Sequence, residues 1–577
     1  MKFFKKIGIA LLAGIMTVIP MTACKTSENN GLDPTKTPLR IGVYNGGFGY
    51  DWANELAEKF EQYYAKTSFE DGKTGVDVEI LPGDKTAYEP DTLITRLQMG
   101  NESADVYYTA ATDHWNFYEE GVAADINSVM REKVYDADGN LAAEGQGQYS
   151  IYDKMEDYFK TSFLEEDGKF YAFPYMDSIV GLVYDHDLLI KKGILHEDAE
   201  GNVTDYPQTY DDFKKMLDSI RKNGMIGLTY SSQDAGFYTT CILSALVAQY
   251  EGLENAELNL TYGGENGTDY TFPAGTFSAD ELKELGGTET AGGQTGKITA
   301  QNAYLLSRQP GKLAALQFVE MLFSGNRQYL DPKLGNLTQS YSQTQTNFIQ
   351  SERLSQETSK DPDKAQKAIA MIVEGEWWEN EARQQFIDMG TAFGESLYGY
   401  GVRDFRFMPL PFADGSKSDK RVYHSLSSGS TAFVNARSEH KQLAGLWIQF
   451  ALQESSLEAF TLKTGIMLPY EFDLSEEQQQ ELTPFAQNVY SIRTDENVII
   501  SRHLNMCDFK KYGDGAVVGG FGDNMTFAMD SGNISTDPFN LFLSYSYAPS
   551  ALMEGNKKYL TKEMWAEKYD TYMAAIS

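Results

Sequence analysis

Between Leu39 and Tyr108 the apolar residues switch between a spacing of two and a helical spacing of three to four, and that switch limits the chain to few folds. Leu39-Arg40-Ile41-Gly42-Val43-Tyr44 alternates like a strand and runs into the glycine-rich stretch Asn45-Gly46-Gly47-Phe48-Gly49-Tyr50. Trp52, Leu56, Phe60 and Tyr63/Tyr64 then recur at helical spacing, with Glu and Lys on the opposite face. Val76 to Ile80 reads as the next strand, Leu93, Leu97 and Met99 as a second helix closed by Gly100, and Ala104 to Tyr108 as a third strand feeding the loop Thr109–Asp113. Such a β-α-β-α-β order predicts an α/β fold with a parallel sheet. Ligands of such sheets sit beyond the carboxyl ends of the strands, which points to loops 45–51 and 109–115. Gly46-Gly47-x-Gly49 is not the GxGxxG pattern, so no dinucleotide is expected there.

Charge narrows the partners. The 577 residues carry 49 Lys+Arg against 83 Asp+Glu, a net charge of -34. That field repels nucleic acid, whose phosphates need clustered cations, so no nucleic-acid partner is expected. Apolar residues make up 42% of the chain, enough for one large core or two moderate ones. Tyr and Phe number 36 and 32, a supply of rings that suits sugar stacking as well as an ordinary core.

The N-terminus sets the compartment. Lys2, Lys5 and Lys6 precede an apolar stretch from Ile7 to Pro20 that is too short to span a bilayer. Met21-Thr22-Ala23-Cys24 follows and resembles the bacterial lipobox, which implies cleavage after Ala23 and lipidation of Cys24. Residues 1–23 are thus expected to be a lipoprotein signal peptide and 24–38 a polar, flexible tether. The expected location is extracytoplasmic, lipid-anchored to the outer face of the cell membrane. Of the three cysteines, Cys241 and Cys507 remain, free to pair or to stay as buried thiols. No CxxC, HExxH or Cys/His cluster occurs, so neither a metal nor a cofactor is expected. Asp136-Ala137-Asp138-Gly139-Asn140 and Asp198-Ala199-Glu200-Gly201-Asn202 lack the sixth-position Gly and twelfth-position Glu of a calcium loop and read as acidic turns.

Further motifs appear in a fixed order. They run Arg96-Leu97-Gln98-Met99-Gly100, Ala104-Asp105-Val106, His114-Trp115 through Gly121, Gly168-Lys169-Phe170-Tyr171-Ala172-Phe173-Pro174 and Leu182 to Leu188. Pro207 to Phe213, Ala368 to Trp377, Pro409-Leu410-Pro411, Ser428 to Asn435 and Gly465 to Pro469 continue the series. In that order the chain resembles the family 1 extracellular solute-binding proteins, the carbohydrate-binding lipoproteins of ABC importers. It departs from the pattern at Asp185, where Asn is usual, and at Glu376, where Pro is usual. The resemblance implies a periplasmic-binding-protein-like α/β fold: two lobes, a ligand cleft between them, and hinge crossings near Tyr171–Tyr175, Pro411–Ser418 and within Ala451–Pro469. Lobe 1 is expected over 39–174 and 412–455, and lobe 2 over 175–411 and 456–577. Residues 254–299 are an insertion with turn chemistry, expected as a surface hairpin. The implied partners are a carbohydrate and the permease subunits of an ABC transporter, with the protein itself a monomer and no enzyme.

A sugar site needs carboxylates or amides for the hydroxyls and a ring for the C–H face. Glu376, Trp377 and Trp378 are the leading candidates, on the loop after a strand; two adjacent rings cannot both face one core, so at least one is expected in the cleft. Asp113 and Trp115 follow the third strand, and Asn45, Phe48 and Asp51 line the first loop. Asp177, Asp234, Phe237, Ser427 and Ser428 are expected contacts from the second lobe, with Arg502 a further candidate. Asp51 and Asp113 equally suit helix caps. The alternative is an exported glycoside hydrolase using Asp113 and Glu376, which would need the two carboxyls ~5–9.5 Å apart. A peptide-binding or adhesive lipoprotein would keep the lobes and widen the cleft.

Overall fold

The computed structural model describes residues 32–84, 87–110, 114–336, 339–358, 366–425, 430–502, 527–528, 534–535, 551, 553–555, 558 and 560–576. Cys24, Asp113, Ser427, Ser428 and Cys507 lie outside the described residues, as do the signal peptide and most of the tether. In chain order the strands are β1 (Thr37–Tyr44), β2 (Val76–Gly83), β3 (Val106–Tyr108), β4 (Ala172–Met176), β5 (Ile179–Asp185), β6 (Ile226–Thr229) and β7 (Thr268–Phe272). They continue as β8 (Thr288–Thr290), β9 (Gly293–Ile298), β10 (Ile369–Gly375), β11 (Phe405–Met408), β12 (Arg421–Ser425), β13 (Ser430–Val434) and β14 (Val498–Ser501).

Two mixed sheets carry the fold. The first has the order β2-β1-β3-β13-β4. Its β1, β2 and β3 are parallel, as the alternation of strand and helix predicts, and β13 enters antiparallel to β3 and β4. The helix Asp51–Tyr63 returns the chain from β1 to β2 and buries Trp52, Ala53, Leu56, Ala57 and Phe60 against that sheet. The helix Pro90–Met99 ends on Gly100 at φ 71°, a left-handed cap that glycine adopts without steric cost.

The second sheet runs β14-β12-β5-β10-β6, with β11 beside β12 on the same edge of β5. β5 is buried along its whole length and antiparallel to β10, β11 and β12. On this sheet packs the helix Tyr210–Lys222, whose Thr209 cap accepts a bond from the Asp212 N–H and whose Phe213, Met216, Leu217 and Ile220 form the apolar stripe. Each sheet has its own apolar core. A further cluster packs behind the second sheet around Trp378.

The insertion is more than a hairpin. β7, β9 and β8 form a three-stranded antiparallel sheet, and Tyr270 and Phe272 alternate inward on β7. A lone hairpin could not bury that face. The helix Lys562–Ile576 covers it instead, with the Trp565 indole N–H donating to the Ala300 carbonyl at 2.7 Å.

The chain passes between the two sheets at 177–178 and again between Ser425 and Ser430. The second passage falls later than the Pro411–Ser418 of the sequence reading because Arg421–Ser425 pairs with β5 and β14 before the chain leaves. The stretch Ala451–Pro469 holds no passage: the helix Glu454–Thr464 buries Leu457 and Phe460 in the first core. The helix Pro484–Thr494 lies between the sheets instead. Its Ala486 and Tyr490 enter the first core, while Phe485 and Val489, the neighbours one position back, enter the cluster around Trp378.

Candidate functional site

At the carboxyl end of β1 the chain turns sharply. Asn45 Oδ1 accepts the N–H groups of Gly47 at 3.2 Å and Gly49 at 3.3 Å, which closes the loop over its own side chain. Across from it, β10 ends at Gly375 and Trp377 packs against the cores of both sheets. Gly47 sits at φ +84° with any Cβ only 3.1 Å from Trp377 Cβ, so a side chain here would strain the backbone and push the tryptophan away. Asn380 Nδ2 donates to the Gly47 carbonyl at 3.2 Å. The loop after β1 and the turn after β10 thus meet at Gly47, Trp377 and Asn380.

Beside that contact lies a cavity of about 910 Å³. From the first sheet it is lined by Tyr44, Asn45, Asp51 and Asp84; from the second side by Tyr341, Asn380, Glu381, Arg383, Gln384 and Ile387. Its volume lies near the top of the ~300–1,000 Å³ range of small-molecule sites. Phenol rings, amides and carboxylates face one another there, the set that hydrogen-bonds hydroxyls and stacks on C–H faces.

A buried relay stands behind the cavity. Gln345 Nε2 donates to Glu381 Oε2 at 2.7 Å and to Glu374 Oε1 at 3.1 Å, and the Tyr238 hydroxyl donates to Glu374 Oε2 at 3.0 Å. Burial, and then the charge of Glu381, pushes the Glu374 carboxyl up to about 8, against the bonds it accepts from Gln345 and Tyr238. Glu381 is raised by burial and by Asp234. The Asp234 carboxylate itself accepts the Ser231 hydroxyl at 2.7 Å.

A second polar cluster occupies the first passage between the sheets. Arg502 Nη2 bonds Asp177 Oδ2 at 2.6 Å and Glu156 Oε2 at 2.7 Å. Arg493 joins Asp177 at 3.1 Å to Glu376 at 2.8 Å, and the Ser425 hydroxyl donates to Asp177 Oδ1. Glu376 Oε1 also accepts the Ile179 N–H at 3.1 Å. Burial alone would raise Asp177, but Arg502 and Arg493 overcome it and hold the carboxyl well below the ordinary range. Burial pushes Glu376 up to about 7 against the pull of Arg493.

Residues 55–471 match the family of bacterial extracellular solute-binding proteins. The chain belongs to that family. Members of the family work outside the cytoplasm and bind solutes, so this solute-binding protein is extracytoplasmic. Among solved structures it is similar to a chitin oligosaccharide binding protein, at 13% identity and TM-score 0.52, over 92% of this chain and 99% of that one. A protein solved in work on xylan utilization by Caldanaerobius polysaccharolyticus has 13% identity and TM-score 0.53, over 91% of this chain and 100% of its own. The apo form of RafE from Streptococcus pneumoniae has 12% identity and TM-score 0.50, over 93% and 100%. No curated protein matches the sequence.

Several residues singled out in the sequence of this solute-binding protein serve other ends. Trp378 is fully buried, edge on to Phe405 at 5.2 Å, and does not face the cavity; it is the ring that the core claims from the Trp377-Trp378 pair. Trp377 is half-buried between the two cores and backs Gly47 rather than lining the cavity. Phe48 and Trp115 are buried, Phe48 against Phe460 and Trp115 edge on to His114. Asp177 and Glu376 are consumed by the arginine cluster, so neither offers a free carboxylate to a ligand or to the hydrolase reading. Phe237 stays 48% exposed on the helix Ala235–Glu251, away from the lining. Asn45 and Asp51 do line the cavity, whereas Asp234, bonded by the Ser231 hydroxyl, is not among the lining residues. The acidic loops at 136–140 and 198–202 are turns in which Asp136 and Asp198 accept backbone N–H groups. Tyr341, Asn380, Glu381 and Gln384 escaped the sequence reading. A run of polar residues directly after Trp377-Trp378, in Glu379-Asn380-Glu381-Ala382-Arg383-Gln384, was the available signal.

Asp177→Asn is expected to destabilise the protein by about 3–5 kcal/mol at pH 7, because two buried guanidiniums lose their shared anion. A carboxylate whose pKa is lowered on folding contributes fully above its ordinary value of 3.8 and loses that contribution as pH falls through the folded-state value. The gap between parent and variant should therefore narrow below about pH 4. Urea unfolding across pH checks both statements, and a variant within 0.5 kcal/mol of the parent at pH 7 would show that the cluster contributes little.

Proposed function

We propose that this chain captures a carbohydrate in the cavity between its two sheets and delivers it to the permease of an ABC importer. The observation that carries the reading is the lining itself: Tyr44 and Tyr341 supply rings, Asn45, Asn380 and Gln384 amides, and Asp51, Asp84 and Glu381 carboxylates, divided between the two sheets. A ligand held from both sides draws them together. The chitin oligosaccharide binding protein and the xylan-utilization protein, which share the fold, lend further support. On this reading the two sheets with their cores are the two lobes, the hinge includes 177–178 and the helix Pro484–Thr494, and the protein acts as a monomer without catalysis.

Anchoring belongs to the same proposal. Met21-Thr22-Ala23-Cys24 after a short apolar run supports lipidation of Cys24, with the tether up to Pro38 holding the binding unit off the membrane. Cys24→Ser is expected to leave unprocessed precursor or release the protein to the medium; normal processing and membrane retention in the fractionated variant would refute the anchor.

The sugar reading is tested by thermal shift against chito-, xylo- and raffinose-type oligosaccharides, followed by calorimetry and small-angle scattering with the best of them. Tyr341→Ala and Glu381→Gln should each weaken binding by about 1–2 kcal/mol, or roughly 5- to 30-fold. The parent's radius of gyration should fall on binding, as expected of a hinge that closes. Appearance of new reducing ends would favour a hydrolase, and unchanged affinity in both variants would place the site elsewhere.

A further inference from the structure

A second cavity, of about 360 Å³, shares no residue with the one between the sheets. It is walled by the first turns of the helices Tyr210–Lys222 and Pro310–Arg327, by Tyr250 near the end of the helix Ala235–Glu251, and by the turn Phe412–Asp414. The walls are braced against one another. Phe412 N–H donates to the Gln208 carbonyl at 2.8 Å, Lys417 N–H to the Tyr250 carbonyl at 2.8 Å, and the Tyr210 hydroxyl to the Ala314 carbonyl at 3.1 Å. Arg421 sits 4.2 Å from the Phe412 ring centroid and fixes that ring while bonding Gln208 Oε1 at 2.7 Å. The hollow is built into the scaffold.

Its chemistry selects a class of ligand. Tyr210, Tyr250 and Phe412 present rings, and Asp211, Asp414 and Gln317 present exposed carboxylates and an amide. No Lys, Arg or His is among the lining residues, and the two exposed carboxylates repel an anion that the helix ends would otherwise attract. A cation meets the opposite obstacle, because the positive ends of two helix dipoles border the same space. What suits both is a neutral ring with hydroxyls on its edge and C–H groups on its face. We propose that this hollow is a second carbohydrate site, which holds one end of a glycan on the outside of the second sheet, independently of the cavity between the sheets.

Saturation-transfer NMR on the full chain tests this, with chitohexaose, xylohexaose, cellohexaose and maltohexaose as probes and spermidine as the cationic control. The parent background is a Tyr341→Ala, Glu381→Gln double variant, in which the cavity between the sheets is weakened. At least one hexaose should still give transfer in that background. Adding Tyr250→Ala should weaken it tenfold or more, while Tyr250→Phe, which keeps the ring, should restore it. Asp414→Asn, at an exposed position, should also weaken it. No transfer from any hexaose in the double variant, equal transfer with and without Tyr250→Ala, or preference for spermidine over every sugar would each overturn the proposal. Circular dichroism and urea unfolding of the Tyr250→Ala protein accompany the titration, so that lost signal from a misfolded chain is recognised and the Asp414→Asn result decides in that case.

Discussion

Asp177 lies in the two-residue link between β4 of one sheet and β5 of the other, fully buried, under the guanidiniums of Arg493 and Arg502. A carboxylate without water is costly, and only such partners keep it charged. Each arginine also serves the opposite side: Arg502 reaches Glu156 beside the first core and stacks 5.3 Å from the Tyr158 and Phe159 rings, while Arg493 holds Glu376 after β10. Five charged groups therefore fix the place where the sheets join. Both arginines come from beyond residue 471, where the family match ends. The stretch Pro484–Arg502 is thus built into the junction.

The position of the large cavity follows from that junction. With the β4–β5 link pinned, β10 ends against the β1 loop, and Trp377 fills the space over Gly47. The polar turn after Trp378 then faces Asn45 and Asp51 across the gap. Each sheet keeps its own core on its side of the gap, and Trp377 packs against both. Glu376 Oε2 and Arg493 Nη2 are buried without a hydrogen bond among the described residues, a cost that leaves the cluster with unused polar capacity.

The α/β frame was legible because period-two and helical spacings follow each other so regularly up to Tyr108, and β1, β2 and β3 pair in parallel as that rhythm requires. β13 was not legible as a neighbour of β3, because its pairing partner is 322 residues away in the Thr109–Thr431 contact and nothing local encodes it. The same blindness explains the site. Loop 45–51 was found from strand polarity alone, and Asn45 and Asp51 do line the cavity. Asp177 and Glu376 looked like ligand carboxylates because their counter-ions, Arg493 and Arg502, sit more than a hundred residues further on. Phe48 and Trp115 looked available because a sequence shows a ring and not what packs on it.

A crystal structure of the complex with the tightest-binding oligosaccharide tests the central claim most directly. The account predicts sugar density in the cavity of about 910 Å³, touching Asn45 or Asp51 on one side and Asn380, Glu381 or Tyr341 on the other, with Asp177 still clasped by both arginines. A sugar bound with contacts to one sheet only, or with the cavity between Tyr44 and Gln384 left empty, would contradict it.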